Sequence, residues 1–225
     1  KAVKKEATVS IMGECADEIF GGYPWFFRED ALSSGTFPWS INISGRQHLL
    51  NPELQEKIDL KEYIDYRYNE SLNEVELLNV DSKETKEKRK ITYLTMNWFM
   101  QTLLSRTDRM GMYNGFELRV PFCDYRLAEY VWNIPWEIKA LHGREKGLLR
   151  YIMKDELPKE IVDRKKSPYP KTWNPTYLKK VKGMLTEIMQ NENSPITSLL
   201  NKEDIMEILN TDGKSFSRPW FGQLM

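Results

Sequence analysis

Three carboxylates of the sequence, Glu14, Asp17 and Glu18, lie close together between glycines. The residues just before them, 7–12, are apolar and β-branched, which predicts a buried strand. The spacing of the carboxylates predicts that all three project from the first turn of a helix, where acidic groups are favoured, and that Gly21–Gly22 ends this turn. Strands of α/β sheets carry chemistry at their carboxyl ends, so this stretch is a candidate catalytic site. The alternative is an acidic helix cap followed by a glycine stop.

A second group of charged side chains lies between residues 105 and 124. Arginine presents a planar fork of donors that suits phosphate and carboxylate groups, so these arginines are candidate ligands for an anionic substrate. The same residues could instead form a buried ion-pair network that fixes helix packing. The sequence leaves both interpretations open. The charged residues of this block are Arg106, Asp108, Arg109, Glu117, Arg119 and Asp124.

Two basic segments follow, at residues 142–150 and 161–171. In the first, Lys146 could stabilise a phosphate or a tetrahedral intermediate if it lies in a pocket poor in water. The alternative is an ordinary exposed lysine on the first turn of a helix. The second segment includes Lys166 and could close over an anionic nucleotide, or it could be a solvated loop.

The composition favours a globular protein that forms one domain. The alternative is one domain with a loosely attached tail. The chain has 225 residues, 33 basic and 33 acidic side chains, and 40% hydrophobic residues. Zero net charge gives no argument for a nucleic-acid partner, and no apolar run predicts a membrane span or a signal peptide. Cys15 and Cys123 are far apart in sequence, which predicts reduced thiols and a cytoplasmic location.

The periodicity of the apolar residues predicts mostly helices. Helical patterns cover residues 51–78 and continue from an N-cap at Asp81 or Ser82 to residue 104, where the apolar part is predicted to be buried all round. Asp124 is predicted to cap a helix over 125–132. The tail predicts amphipathic helices near 174–190, 202–210 and 214–223, packed onto the body through aromatic residues. These aromatic residues are Trp173, Trp220 and Phe221.

Taken together, these blocks resemble those of a known family. Residues 13–23 resemble the motif G-E-G-x-D-E-x-F-G-G-Y of glutamine-dependent asparagine synthetases. Residues 105–124 resemble D-R-x-S-M followed by L-E-x-R-V-P-F-x-D, residues 142–150 resemble G-x-x-K-x-x-L-R, and residues 164–166 resemble R-x-K. This chain departs from the family at Gly111, where many members have serine, and at Gln101–Thr102, where many have an acid one turn before Arg106.

The resemblance runs from about Ser10 to about Lys171 and implies a mainly α fragment of an α/β nucleotide-binding domain of the ATP-pyrophosphatase, adenine nucleotide α-hydrolase-like kind. One remnant strand is expected near residues 7–12. Residues 1–225 would form the C-terminal part of the synthetase domain. The pyrophosphate-binding loop and the glutaminase domain would belong to an upstream part of a longer parent, because neither has a counterpart in this sequence. We therefore expect the chain alone to be inactive.

The resemblance also implies the activity of the parent, which would be a ligase. ATP and Mg²⁺ would serve to convert aspartate to an aspartyl-adenylate, which ammonia from the glutaminase domain then attacks, and the parent is a candidate homodimer. Glu14 would be the general base, and Lys146 would stabilise either the departing pyrophosphate or the adenylate. Asp17 would bind the metal. The remaining implied contacts are Gly13, Asp17, Arg106, Arg109 and Lys166 for the nucleotide, and Glu117 and Arg119 for the substrate.

Two other interpretations compete with this one. A relative that closes a lactam ring through the same adenylate chemistry would keep the fold, but such relatives typically have tyrosine at the position of Glu14. A catalytically silent helical interaction module would need neither the acidic cluster nor Lys146. The acidic cluster and Lys146 are both present, and position 14 is a glutamate, which favours the amide-forming synthetase.

Overall fold

A computed structural model describes residues 1–41, 43–166, 175–191 and 193–210. Within these ranges the chain is mostly helical and contains one small parallel sheet. The contacts divide the described residues into two compact units. The first comprises residues 1–41 and 67–166, and the second comprises 43–66, 175–191 and 193–210. The helix predicted near 214–223, together with Trp173, Trp220 and Phe221, lies outside the described residues.

The helices follow one another along the chain with short connections. In order, they are α1 (Ala16–Phe20), α2 (Glu29–Leu32), α3 (Ser44–Gln47), α4 (Pro52–Lys57), α5 (Leu60–Asn73), α6 (Lys83–Leu94), α7 (Gln101–Tyr113), α8 (Tyr125–Trp132), α9 (Trp136–Lys139), α10 (Gly147–Ile152), α11 (Lys159–Val162), α12 (Pro175–Gln190) and α13 (Lys202–Asn210). Shorter 3₁₀ turns occupy Val3–Lys5, Pro24–Phe27, Pro121–Cys123, Leu141–Gly143 and Pro195–Ser198. None of the helices in the described part of the chain is long and apolar enough to cross a membrane.

The sheet consists of β1 (Val9–Ile11) and β2 (Glu117–Arg119), which run parallel. Val9 pairs with Glu117, and Ile11 pairs with Arg119. The strand predicted near residues 7–12 is therefore confirmed, but the expectation of one remnant strand was wrong, because β2 pairs with it. The prediction that this strand is buried was also wrong, since Val9 and Ile11 are 37% and 73% exposed. The specific nucleotide-binding fold stays a prediction.

A long helical segment runs from Lys83 to Tyr113 and contains a π-helical insertion, Thr95–Met100, between α6 and α7. Ser82 caps its start by accepting a hydrogen bond from the Thr85 N–H at 3.1 Å, which confirms one of the two predicted caps. Ile91 and Leu94 are buried, whereas the apolar residues further along are only partly buried. The predicted burial of the apolar part therefore holds at Ile91 and Leu94, and it was wrong for the apolar residues that follow.

The core of the first unit forms where α1 packs against α8. Ile19 and Phe20 of α1 and Val131 of α8 are buried there. Beside this core, Phe26 is fully buried and stacks on Trp136 with ring centroids 5.3 Å apart. Gly21 has a φ of +69°, and a Cβ at this position would lie 2.5 Å from the Trp136 ring. The predicted glycine stop after α1 is thus required both by backbone conformation and by close packing.

The second unit is built around α12 and α13, whose predicted positions are confirmed. Their apolar faces pack together with Leu49 in a core formed by Leu178, Val181, Leu185, Ile205 and Ile208. The backbone holds the same region, because the Asn51 N–H donates to the Leu199 carbonyl at 2.9 Å.

Replacement of Ile205 by alanine tests this core. Ile205 is fully buried, whereas its neighbour Met206 on the same helix is 52% exposed. We expect Ile205→Ala to lower the free energy of unfolding by about 2–5 kcal/mol, because it leaves a cavity. Met206→Ala should change it by less than about 0.5 kcal/mol. Urea denaturation measures both values, and equal effects of the two substitutions would contradict the packing described for α13.

Candidate functional site

The loop between β1 and α1 turns through a left-handed residue, Cys15, with φ of 74°. A positive φ is uncommon for a residue with a side chain, and the motif resembled by this stretch has glycine at this position. The unusual backbone angle lies at Cys15 and not at Gly13, which has no atom within 4 Å of an added Cβ. The turn separates the carboxylates. Glu14 lies before the helix and Asp17 within its first turn, so the prediction that all three project from one helical turn was wrong.

Asp17 is held between two lysines of the same unit. Its Oδ2 lies 2.5 Å from Lys166 Nζ, and its Oδ1 lies 2.9 Å from Lys146 Nζ. The Lys146 contact is an ion pair without the alignment of a hydrogen bond, which leaves Oδ1 with no hydrogen-bond donor among the described residues. Burial alone would raise the pKa of Asp17, but the two lysines outweigh it and hold the pKa below its ordinary value. Asp17 is therefore ionised at neutral pH.

Lys146 reaches Asp17 from a turn with an unusual backbone path. Lys146 itself has φ of 52° at the N-cap of α10, and His142, in the preceding 3₁₀ turn, has φ of 61°. A Cβ on Gly147 would overlap the backbone of Leu141, so the chain folds tightly on itself here. Strained backbone of this kind is commonly found at functional sites. The Lys146 side chain is only 25% exposed. The alternative interpretation, an ordinary exposed lysine, is therefore wrong.

Glu14 has one oxygen that is held and one that is free. Thr107 Oγ1 donates a hydrogen bond to Glu14 Oε1 at 2.9 Å, and Arg106 Nη2 lies 3.4 Å from the same oxygen. Glu14 Oε2 is buried and has no hydrogen-bond partner in the described part of the chain. A carboxylate that has a fixed orientation and a free, shielded oxygen is suited to accept a proton from a bound ligand.

Glu18, the third carboxylate, has a structural contact. It is 1% exposed and accepts a hydrogen bond from the Tyr23 hydroxyl at 2.7 Å. Burial raises the pKa of Glu18 above its ordinary value, and burial together with Glu18 raises the pKa of Tyr23. Tyr23 also lies under Lys166, whose Nζ is 4.6 Å from the ring centroid. The Glu18–Tyr23 pair therefore supports Lys166 through the face of the Tyr23 ring.

The other predicted binding residues are not brought into contact with this cluster. Glu117 and Arg119 form an exposed ion pair with each other at 2.7 Å. The guanidinium of Arg109 is exposed and makes no ion pair or hydrogen bond with the described residues. The predicted cap at Asp124 is confirmed, and Arg126 lowers the pKa of Asp124 to about 2. The buried ion-pair network was therefore the wrong interpretation of this block.

The positions of α7 at which the sequence departs from the family motif have different surroundings. Thr107, which the sequence does not single out, faces Glu14, whereas Gln101 and Thr102 line a separate cavity with Arg67 and Glu70. A Cβ on Gly111 would lie 2.7 Å from the Phe116 carbonyl, so the helix approaches the start of β2 closely at that position.

The segment that carries Lys146 and Lys166 is fastened by arginines. Arg150 pairs with Glu145 at 2.9 Å and donates to the Val162 carbonyl, and Arg144 pairs with Asp163 at 3.1 Å. These contacts join the turn before α10 to the stretch after α11. The sequence indicated a basic segment here, but it did not indicate these pairings.

Asp17 is a residue of the cluster that could hold a metal ion. No group of three or more metal-ligating His, Cys, Asp or Glu side chains occurs within the described ranges. An ionised carboxylate with an oxygen that lacks a hydrogen-bond donor is nevertheless a suitable ligand for Mg²⁺, which commonly uses one or two carboxylates and completes its coordination with substrate phosphates and water.

The charge on Asp17 predicts a pH-dependent contribution to stability. Because its folded pKa lies below the unfolded value of about 3.9, its contribution is present at neutral pH and is lost as the pH falls below about 4. We expect Asp17→Asn to be less stable than the wild type at pH 7 and the difference to shrink towards pH 3. Asp155→Asn, at a side chain that is 84% exposed, is the matched control and should show little difference at any pH. A constant deficit of Asp17→Asn from pH 7 to pH 3 would contradict the ionised pair.

Gly22 provides a steric test of the same site. A Cβ on Gly22 would overlap Asp17 Oδ1 and lie 2.8 Å from the Asp17 Cα. Gly22→Ala should therefore push Asp17 away from its lysines and lower the free energy of unfolding by about 1–3 kcal/mol. Gly183→Ala, within α12 and with no atom within 4 Å of the added Cβ, should stabilise the protein by about 0.5–1 kcal/mol. Thermal unfolding measures the stability of both variants. A stability of Gly22→Ala equal to that of the wild type would contradict the contact with Asp17.

Comparison with known proteins agrees with the resemblance. The asparagine synthase family model matches residues 1–223. Asparagine synthetase [glutamine-hydrolyzing] 3 of Bacillus subtilis (strain 168) is 49% identical over 225 residues, which is all of this chain and 36% of that protein. Asparagine synthetase [glutamine-hydrolyzing] 1 of the same organism is 25% identical over 245 residues, 93% of this chain and 37% of that protein. The human asparagine synthetase [glutamine-hydrolyzing] is 42% identical over 67 residues, 28% of this chain and 12% of that protein.

The chain thus spans about a third of the length of the two Bacillus subtilis relatives, 36% and 37% respectively. With a family model that matches it from residue 1 to residue 223, the chain belongs to the asparagine synthase family.

Proposed function

We propose that the protein to which this chain belongs synthesises asparagine from aspartate, ATP and glutamine-derived ammonia, in the cytoplasm. Residues 1–225 would be the C-terminal part of its synthetase domain. The observation that carries the proposal is the placement of two lysines on one ionised carboxylate, Asp17, with Glu14 in the loop just before the helix of Asp17. Two free cysteines and membership of the family are consistent with it.

The two lysines are suited to the nucleotide. Without a ligand, Lys146 and Lys166 neutralise Asp17. A polyphosphate offers the same ammonium groups stronger oxygen acceptors, so the lysines can exchange the carboxylate for phosphate oxygens when ATP binds. Asp17 would then be free to hold Mg²⁺, which supplies additional neutralisation of phosphate charge.

In the first step, a carboxylate oxygen of aspartate attacks the α-phosphorus of ATP, an O–P bond forms, and the bond to pyrophosphate breaks. The negative charge that develops on the departing pyrophosphate is opposed by the ammonium groups of Lys146 and Lys166. Stabilisation of developing charge by preorganised groups in a partly buried site is often the largest contribution to catalysis. The side chain of Lys146 is preorganised by the turn described above.

In the second step, ammonia attacks the carbonyl carbon of the adenylate, a C–N bond forms, and the C–O bond to AMP breaks. The nitrogen must lose a proton, and Glu14 Oε2 is the buried oxygen without a partner that can accept it. Water is excluded from this oxygen by burial, which limits competing hydrolysis of the adenylate.

The experiment is pyrophosphate release by the full-length protein with ATP and Mg²⁺ across a panel of carboxylic acids, followed by analysis of the amide product. We expect release that depends on aspartate. Lys146→Ala should reduce it by about 100-fold or more, as is typical when a residue that stabilises developing charge is removed. Glu14→Gln should still release pyrophosphate in a single turnover but form little asparagine.

Lys154→Ala is the matched control, because Lys154 is a neighbouring lysine whose side chain is 51% exposed. Its ion pair within the described residues is a long one, 4.0 Å to Asp155 Oδ2. It should retain wild-type activity. Release with a different acid would keep the adenylating chemistry and discard aspartate, as a lactam-forming enzyme would require. Absence of release with every acid would refute the proposed function.

A further inference from the structure

We propose that Thr107 is a positioning residue for the general base Glu14 and that positions 101 and 102 have no such role in this chain. The inference rests on the proposed function, since it assigns Thr107 to the second step of that reaction. It stands on the hydrogen bond from Thr107 Oγ1 to Glu14 Oε1 at 2.9 Å.

Thr107 is the better placed of the two groups that contact this oxygen. The Arg106 guanidinium lies 3.4 Å away, at the long end of the hydrogen-bond range, and its side chain is 55% exposed. Thr107 is partly buried and β-branched, so its side chain has few rotamers in a helix and holds its hydroxyl in place. The Arg106 guanidinium contributes positive charge near Glu14, whereas the Thr107 hydroxyl fixes the orientation of the Glu14 carboxylate.

The start of α7 and the π-helical segment before it explain why Thr107, and not an earlier residue, faces Glu14. The Thr102 hydroxyl donates to the Trp98 carbonyl of its own helical segment at 3.0 Å, and Thr102 lines the cavity that contains Arg67. The π-helical segment Thr95–Met100 lies immediately before α7. An extra residue in a helical turn rotates everything that follows by about 100°, which sets the face that α7 presents to Glu14.

The hydrogen bond has a specific chemical consequence. With Oε1 occupied by the Thr107 donor, the carboxylate cannot rotate freely, and Oε2 is the oxygen left for the substrate. In the amide-forming step the proton moves from the attacking nitrogen to Oε2, while Oε1 keeps its bond to Thr107. Adenylate formation needs no proton acceptor, so Thr107 should affect the second step alone.

The test compares Thr107→Val, Thr107→Ser and Thr102→Val in the full-length protein. Valine has nearly the shape of threonine without the donor, serine keeps the donor, and Thr102→Val makes the same change on the face of α7 that does not contact Glu14. In single-turnover reactions with ammonium, pyrophosphate formation and asparagine formation are measured separately. We expect Thr107→Val to slow asparagine formation by about 10- to 100-fold, the range for a lost hydrogen bond to a charged group. Pyrophosphate formation should stay within about twofold of the wild type, a bound that follows from the absence of a proton transfer in that step.

Rescue by the conservative variant gives a second readout that a merely structural role would not move. Thr107→Ser keeps the hydroxyl donor and should restore the rate of asparagine formation. Thr102→Val should match the wild type.

Several outcomes would overturn the inference: full asparagine formation in Thr107→Val, equal losses in Thr107→Val and Thr102→Val, no rescue by serine, or a loss in Thr107→Val of both steps together with a lower melting temperature. If the wild-type protein releases no pyrophosphate with aspartate, the proposed function fails instead, so the two failures are distinguishable.

Discussion

The ion pairs of Asp17 are the interaction on which the rest of the site depends. A carboxylate that is only 23% exposed must be paired, because an unpaired buried charge is costly. Its partners are far along the chain, with Lys166 149 positions from Asp17. Closing so long a loop costs conformational entropy, which contacts elsewhere must offset. Arg150 and Arg144 provide such contacts through their ion pairs with Glu145 and Asp163. These pairs hold together the segment between Lys146 and Lys166, so both ammonium groups are positioned at Asp17.

The same requirement explains where the backbone is unusual. The non-glycine residues with positive φ in the described part of the chain are Cys15, His142 and Lys146, and all of them lie in the two turns that meet at Asp17. A left-handed residue with a side chain costs free energy, and it persists only when its surroundings fix it. Here the overlap that a Cβ would make at Gly22 and at Gly147 indicates how closely those surroundings pack. The strain is therefore located where it directs charged side chains towards a common point.

The sequence predicts local features of this fold better than pairings between distant segments. The strand near residues 7–12, the caps at Ser82 and Asp124 and the helices α12 and α13 follow from short-range rules of spacing and capping. β2 was missed because Glu117–Arg119 is too short to show a strand period and its pairing partner is more than a hundred residues away. The exposure of Ile11 was also missed, because an apolar strand sequence does not show whether other elements cover the strand. Thr107 was missed because a threonine inside a helix has no distinguishing pattern until the π-helical segment sets its direction.

The three neighbouring carboxylates illustrate how one short stretch can hold groups of different chemistry. Asp17 is kept ionised by two ammonium groups, and Glu18 is driven by burial towards its neutral form while it accepts the Tyr23 hydroxyl. Glu14 differs from both, because one of its oxygens is held by Thr107 and the other is shielded and free. Environments that separate the behaviour of adjacent titratable groups identify their roles. Asp17 suits cations, Glu18 supports the turn, and Glu14 is the carboxylate with an oxygen free to accept a proton. The base role proposed for Glu14 therefore rests on the contact that α7 makes with its other oxygen.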